Sequence, residues 1–277
     1  MFEIKESIAE PLRIIFNQSL ALKTVPKEWK NAQISAIFKK GNKSQAKNYR
    51  PVSLTSVVCK IMEKLIRSHI IQHMKANKLF SNKQYSLIAG RSTALQLLEV
   101  IDTWSEALDE GLDIDCIYTD FQNAFDKVPH KRLIKKIENY GITNPILSWI
   151  QDFLTRRYQQ VSINGETSNR KEDTSGIPQG SVLGSMLFGL YTNDLPDAVE
   201  SEAYLFADDT NIFRSINSID DQQILQNDLI KLENWSDKCL LKFHPEKCKH
   251  MNMHRTPKEE EVKYNLLGQE ISKVKDE

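Results

Sequence analysis

Two adjacent acids interrupt an otherwise apolar run in AYLFADDTNIFRSI, where residues 203–207 and 211–216 flank Asp208, Asp209 and Thr210. This is the pattern of a β-hairpin with carboxylates at its tip. Side-by-side carboxylates in apolar surroundings repel one another and lose hydration, so a compensating cation is expected. With oxygen donors and no flanking His or Cys, the set favours Mg²⁺, with Mn²⁺ as the second choice. Two such ions need a further carboxylate. Asp120, which ends the apolar run LDIDCIYTDF, is the best candidate, because neighbouring strands bring distant strand ends together.

Cations cluster elsewhere. Phe38 to Arg50 holds Lys39, Lys40, Lys43, Lys47 and Arg50 without an acid, and residues 127–136 add His130, Lys131, Arg132 and Lys135. Such clusters suit a polyanion, and a solvated face is the plainer alternative. Across the chain 37 Lys plus Arg match 37 Asp plus Glu, so global charge announces no nucleic-acid partner.

The elements that must position these groups alternate irregularly between helix and strand, which indicates an α+β fold. Helical spacing links Ile8, Leu12, Ile15 and Leu20, and again the apolar residues from Val58 to Met74. A third helix starts at Ser92 or Thr93, closes at Gly111 and carries an apolar face of Leu95, Leu98, Ile101 and Trp104. LDIDCIYTDF follows as a largely buried strand. Further helices are expected at about 131–140 and 145–154, then a strand in YQQVSING that closes on an Asn164-Gly165 turn with a short return strand. GIPQGSVLGSMLFGLYTNDLP opens with turn residues and continues as an apolar helix through Val182, Leu183, Met186, Leu187 and Leu190. Leu225 to Leu241 is an amphipathic helix, FHPEKCKHMNM a turn and strand, and Tyr264 to Leu267 a last apolar run.

The 277 residues, 40% hydrophobic and 27% charged, suffice for a sizeable core. Neither a repeat nor a Pro/Gly/Ser-rich linker divides them, so any lobes share one continuous scaffold. No run is long and apolar enough for a bilayer, and the first residues mix charges too early for a secretory signal. A soluble intracellular protein is expected, nuclear or cytoplasmic, without membrane association. Cys59, Cys116, Cys239 and Cys248 form no CxxC pair and are read as buried thiols. His244, Cys248, His250 and His254 lack zinc-type spacing.

Three segments, YTDFQNAFDKV, SGIPQGSVLGSMLFGLYTNDLP and FADDTNIF, resemble in order and spacing motifs A, B and C of reverse transcriptases of non-LTR, LINE-type, jockey-like retrotransposons. VPKEWKNAQISAIFKKG and NYRPVSLTSVVCKIMEKLI are similar to the family's fingers, QYSLIAGRSTALQLL to an intervening segment, and LLKFHPEKCKHM to motif D. The resemblance implies the fingers and palm of a right-handed polymerase, with an antiparallel palm sheet and packed helices in a single domain. About 1–111 would be mainly fingers and 112–277 mainly palm.

It also implies RNA-directed DNA polymerase activity, in which a primer 3′-hydroxyl attacks the α-phosphate of a deoxynucleoside triphosphate at two metal ions. Asp120 and Asp208 would ligand both metals and Asp209 would complete the site. Phe125 matches the aromatic gate that collides with a ribose 2′-hydroxyl. Gln179 matches the residue lying against the incoming nucleotide and template. Arg50, with Lys39 or Lys40, matches the fingers cations that hold the triphosphate, and Lys247 a lysine that protonates the leaving pyrophosphate. The implied partners are an RNA template, a DNA primer or RNA/DNA hybrid, and dNTPs; a companion chain is left open.

Some positions depart from the family pattern. Ser185 stands where proline is usual, Ile88 where an arginine is usual, and His244 where asparagine is usual. YNLLGQEISKVKDE resembles the approach to the primer-grip hairpin of motif E, so the thumb is expected to be absent or truncated, and the family's endonuclease is missing. These departures motivate the alternative of a catalytically inert, truncated nucleic-acid-binding remnant. An RNA-dependent RNA polymerase is disfavoured by Phe125.

Overall fold

A computed structural model describes residues 5–86, 88, 90–163, 165–253 and 262–274. Asn164 of the expected turn, Leu87 and Ala89 of SLIAG, and His254 lie outside the described residues. The first half of the chain carries α1 (Lys5–Leu22), β1 (Asn31–Phe38), β2 (Tyr49–Leu54), α2 (Val57–Ala76), α3 (Thr93–Asp109), β3 (Asp113–Thr119), α4 (Ala124–Lys127) and α5 (His130–Asn139). There follow α6 (Ile146–Leu154), β4 (Arg157–Ile163), β5 (Glu166–Thr167), β6 (Lys171–Asp173), α7 (Gly184–Thr192), β7 (Glu202–Phe206) and β8 (Asp209–Ile216). Last come α8 (Ile219–Cys239), β9 (Lys249–Met253), β10 (Asn265–Leu266), β11 (Gln269–Glu270) and β12 (Ser272–Val274). The mixture is α+β, as expected. No helix among the described residues is long and apolar enough to cross a membrane.

Two units interleave along the chain: Met1–Leu79 with Val128–Leu190, and Phe80–Lys127 with Tyr191–Glu277. The first is built on a sheet of order β2-β1-β4-β5, with β6 also on β4. β1 and β2 form an antiparallel hairpin from Gln33↔Leu54 to Phe38↔Tyr49, and β1 runs parallel to β4. These two strands are an addition to the helical reading of the first half, whose apolar spacing is too mixed to announce them. α2 buries Cys59, Met62, Ile66, Ile70 and Met74, residues three or four apart that share one face. Asp152 ties α6 to the segment after α1: it accepts from Val25 N at 2.7 Å and pairs with Lys30 at 2.7 Å. Burial alone would raise its carboxyl, but Lys30, the Val25 amide and Arg156 hold it below the usual aspartate range.

The second unit is built on a sheet of order β12-β9-β3-β8-β7, antiparallel throughout except for the β12–β9 pair. β3 is buried on both faces, with Ile114, Asp115, Cys116 and Ile117 fully enclosed. α3 covers one face, where Val100 and Ala107 meet Ile114, Cys116, Tyr204 and Phe213. Here an expectation is corrected: Leu95, Leu98 and Ile101 are exposed, and the buried stripe is Gln96, Val100 and Ala107, joined by Trp104 edge-on to Phe213. The helix is rotated because the sheet accepts the 96/100/104/107 ridge, whose spacing is as helical as that of the more hydrophobic one. Ser92 caps the helix as expected, accepting from Leu95 N at 3.2 Å. All four cysteines are buried free thiols.

Candidate active site

Thr119 on β3 lies opposite Thr210 on β8. Asp120, next after β3, and Asp209, first in β8, therefore emerge at the same end of adjacent strands. β7 and β8 close through Ala207 and Asp208, with Phe206 paired to Asp209. The turn is thus two residues, tighter than the three-residue interruption read from the sequence. Such turns need positive φ at the first central position, and Ala207 supplies it at 56°. A residue with a Cβ pays about 1–2 kcal/mol for that conformation, which the flanking ladder holds in place and which sets Asp208 at the apex.

Asp209 titrates above the ordinary aspartate value, first through loss of hydration and then through the negative charges of Asp208 and Asp120. Among the described residues no three His, Cys, Asp or Glu side chains already stand as a metal-binding group. The excess of negative charge on hard oxygen donors is nonetheless what a divalent cation would relieve, so the donor set fits Mg²⁺.

Lys247 reaches this tip through backbone pairing. Gln122 N donates to Lys242 O at 2.8 Å and His244 N to Asp120 O at 2.8 Å, while Phe121 stacks on Phe243 at 4.6 Å. The turn at 245–247 is thereby docked, and Lys247 Nζ donates to Asp120 Oδ1 at 3.0 Å. Both partners are substantially exposed, so the pair stabilises the fold by at most about 1 kcal/mol. Phe125 lies half-buried in α4, just beyond the tip of β3. A cavity of about 380 Å³ adjoins Asp120 and Asp209 and is walled by residues of α3, β3 and the hairpin. Its α3 wall is Thr93, which the sequence offered only as a helix start, with Gln96, Leu97 and Val100, which it did not single out.

The first unit gathers the remaining candidates. Lys39, Lys40 and Arg50 are exposed around the β1–β2 hairpin, with Arg50 opposite Ile37. The turn GIPQG rests on this hairpin: Ser53 N donates to Gln179 O at 2.7 Å. Gly180 has φ +100°, and a Cβ there would sit 2.8 Å from Ser53 O, so the approach requires glycine. The expected helix after the turn begins at Gly184 rather than Val182. Val182 N and Leu183 N instead donate to Glu63 at 2.7 and 2.9 Å. Glu63, wholly buried in α2, is the anchor that the sequence did not reveal. Burial pushes its carboxyl above the usual range against the pull of those two amides. Asp120, Asp208, Asp209, Lys247 and Phe125 therefore belong to one unit, and Lys39, Lys40, Arg50 and Gln179 to the other.

Comparison with known proteins gives a consistent picture. Residues 37–271 match the family described as reverse transcriptase (RNA-dependent DNA polymerase). The RNA-directed DNA polymerase from mobile element jockey of Drosophila melanogaster is 32% identical over 247 residues, 86% of this chain and 27% of that protein. The probable RNA-directed DNA polymerase from transposon BS of the same fly is 30% identical over 246 residues, 85% of this chain and 27% of that protein. The chain thus spans about a quarter of the length of these relatives. In fold it is similar to apo telomerase from Candida tropicalis truncated from its C-terminal domain, with a TM-score of 0.60 and 13% identity over 96% of this chain and 58% of that one. A telomerase from the same yeast with a fragment of telomeric RNA gives 0.61 at 13% identity, covering 96% of this chain and 47% of that one. By the match across most of its length, the chain belongs to the reverse transcriptase (RNA-dependent DNA polymerase) family.

Proposed function

We propose that this chain extends a DNA primer on an RNA template with dNTPs by a two-metal phosphoryl transfer. The observation that carries the reading is the convergence of Asp120, Asp208 and Asp209 at one end of β3 and the β7–β8 hairpin, with Asp209 titrating high beside the other two. The names of its relatives, RNA-directed DNA polymerases, support the same reaction.

Asp120 and Asp208 would hold two Mg²⁺ ions, or Mn²⁺, with Asp209 completing the site; bound there, the ions would lower the pKa of the primer hydroxyl and stabilise departing pyrophosphate. Lys247 neutralises Asp120; exchanged away from it, the ammonium is in reach to protonate the leaving group. Phe125 excludes the ribose 2′-hydroxyl. Arg50 and Lys39 or Lys40 hold the triphosphate, the arginine by its planar fork and the lysine as a point charge. Gln179, whose turn is held by Gly180 and Ser53, faces the incoming nucleotide and template.

The test is dTTP incorporation on poly(rA) primed with oligo(dT), at saturating primer–template. Incorporation should require Mg²⁺ or Mn²⁺, and Asp208→Asn should slow it on the order of 10²- to 10³-fold, as loss of a preorganised electrostatic group does, with an unchanged thermal transition. Phe125→Ala should gain ribonucleotide incorporation in the same assay. Folded protein that incorporates nothing with either ion overturns the reading. If it still binds the hybrid, the inert remnant motivated by Ser185 and Ile88 is the better description.

A further inference from the structure

The segment from Gly176 to Gly184 is tied to itself. Ser181 donates to Pro178 O from its amide at 3.2 Å and from its hydroxyl at 2.9 Å, and Gly184 N donates to the Ser181 hydroxyl at 3.0 Å. A Cβ on Gly184 would sit 2.8 Å from that hydroxyl and 2.9 Å from Pro178 O, so the coil closes on glycine. A coil this tight moves as one piece, and what holds one end of it places the other.

It is also fastened outward. At its start Gly176 N donates to Val128 O at 3.1 Å, and His130 Nε2 donates to Gly176 O at 2.7 Å. Ser53 N holds Gln179 O in the middle, and at the far end Val182 N and Leu183 N both donate to Oε2 of Glu63. Glu63 is an unusual fastener, because it is wholly buried and its Oε1 has no hydrogen bond. Across the same interior stands Arg157, 3% exposed, whose Nη1 donates to Phe153 O at 3.0 Å and whose Nη2 is likewise buried without a hydrogen bond. The guanidinium draws the Glu63 carboxyl down, though less than the two amides do. The Cys59 thiol, about one turn away on α2, is pushed up by burial and then by the Glu63 charge, so it stays protonated and adds no second negative charge. A charged acceptor makes each amide bond shorter and roughly twice as strong as a neutral one does.

We infer that Glu63 is a positioning residue for nucleotide binding: its carboxylate, with Arg157 as countercharge, sets the coil that presents Gln179 to the incoming nucleotide. The inference rests on the polymerase reading for the identity of that ligand. Being wholly buried, Glu63 acts only through Val182 and Leu183.

The test is dTTP binding, in Mg²⁺, to the complex of the protein with poly(rA) and an oligo(dT) primer that ends in a dideoxynucleotide, read as resistance of the complex to a heparin challenge. The blocked primer removes the chemistry. Wild-type protein should show saturable protection by dTTP. Glu63→Gln keeps the shape and loses the charge, and should weaken dTTP binding about 10-fold with hybrid affinity unchanged. Glu63→Ala should weaken it at least as much; where that variant folds poorly, Glu63→Gln carries the test. Ile70→Val trims the buried face of α2 about two turns away and is the control for lost stability: its dTTP affinity should equal that of the wild type even where its urea midpoint falls. A wild-type dTTP affinity in Glu63→Gln, an equal loss in Ile70→Val, or no dTTP protection in wild-type protein overturns the inference. Wild-type protein that binds dTTP and leaves an unblocked primer unextended sinks the polymerase reading alone, and the Glu63→Gln comparison still decides the positioning.

Discussion

The β1–β2 hairpin and the α3–β3 region carry opposite charge and are organised by different means. Around the hairpin, Lys39, Lys40, Lys43, Lys47 and Arg50 stand exposed on long side chains. Lys43 lies over the Phe38 ring at 5.5 Å, and the backbone beneath the cluster is held to the Gln179–Gly180 turn at Ser53. In the α3–β3 region the charges are short acids, and Asp120 and Asp209 are placed by strand register. Long exposed cations suit attraction of a polyanion at a distance, where exact placement matters little. Short acids on a ladder suit chemistry, where it matters greatly. Substitutions should therefore damage the two regions differently.

The largest expected effect is on the backbone lock of the hairpin. Gly180→Ala places a Cβ 2.8 Å from Ser53 O at a φ of +100°. Strain and overlap together should cost about 3 kcal/mol or more, read as a lower urea midpoint with an unchanged slope. A variant as stable as the parent would mean that the turn does not depend on this contact. Asp208→Asn, in the other region, should leave the urea midpoint where it was.

A smaller effect is expected beneath the acids. Tyr264 Oη donates to Asp115 Oδ2 at 2.7 Å, with both residues buried and His250 edge-on to the tyrosine at 4.7 Å. This bond fastens the segment before β10 to the strand that ends at Asp120. Tyr264→Phe removes a donor from an enclosed carboxylate at little change of volume, and should destabilise by about 1–2 kcal/mol. If stability is unchanged, the register of β3 does not lean on the C-terminal segment.

The sequence displayed one of these regions better than the other, for physical reasons. Asp120, Asp208 and Asp209 stood out because carboxylates ending apolar strands have few ordinary explanations. The strand pattern also placed them, to within the one-residue tightening at Ala207. Asp115 and Tyr264 did not stand out, because the bond between them spans 149 residues and neither is unusual locally. Glu63 was equally silent: a lone acid on an amphipathic helix looks solvated until Val182 and Leu183 are seen to donate to it. On α3 two ridges had helical spacing, and only the shape of the sheet chose Gln96, Val100 and Ala107 over Leu95, Leu98 and Ile101.

The smallest effect sharpens the contrast of charge itself. If the hairpin cations meet phosphates, each neutralised contact should flatten the plot of log affinity against log salt by roughly 0.7–0.9, because one fewer counterion is released. Lys39→Ala with Lys43→Ala should thus reduce the slope for RNA/DNA hybrid by about 1.4–1.8, measured between low and moderate salt. Lys247→Ala should change it little, although lysine is lost there too, because that ammonium is already paired with Asp120 at 3.0 Å. Equal slopes for all three proteins would mean that the hairpin cations are a solvated face and that phosphate is held elsewhere. A larger change for Lys247→Ala than for the hairpin pair would reverse the assignment and make the carboxylate tip the principal phosphate contact.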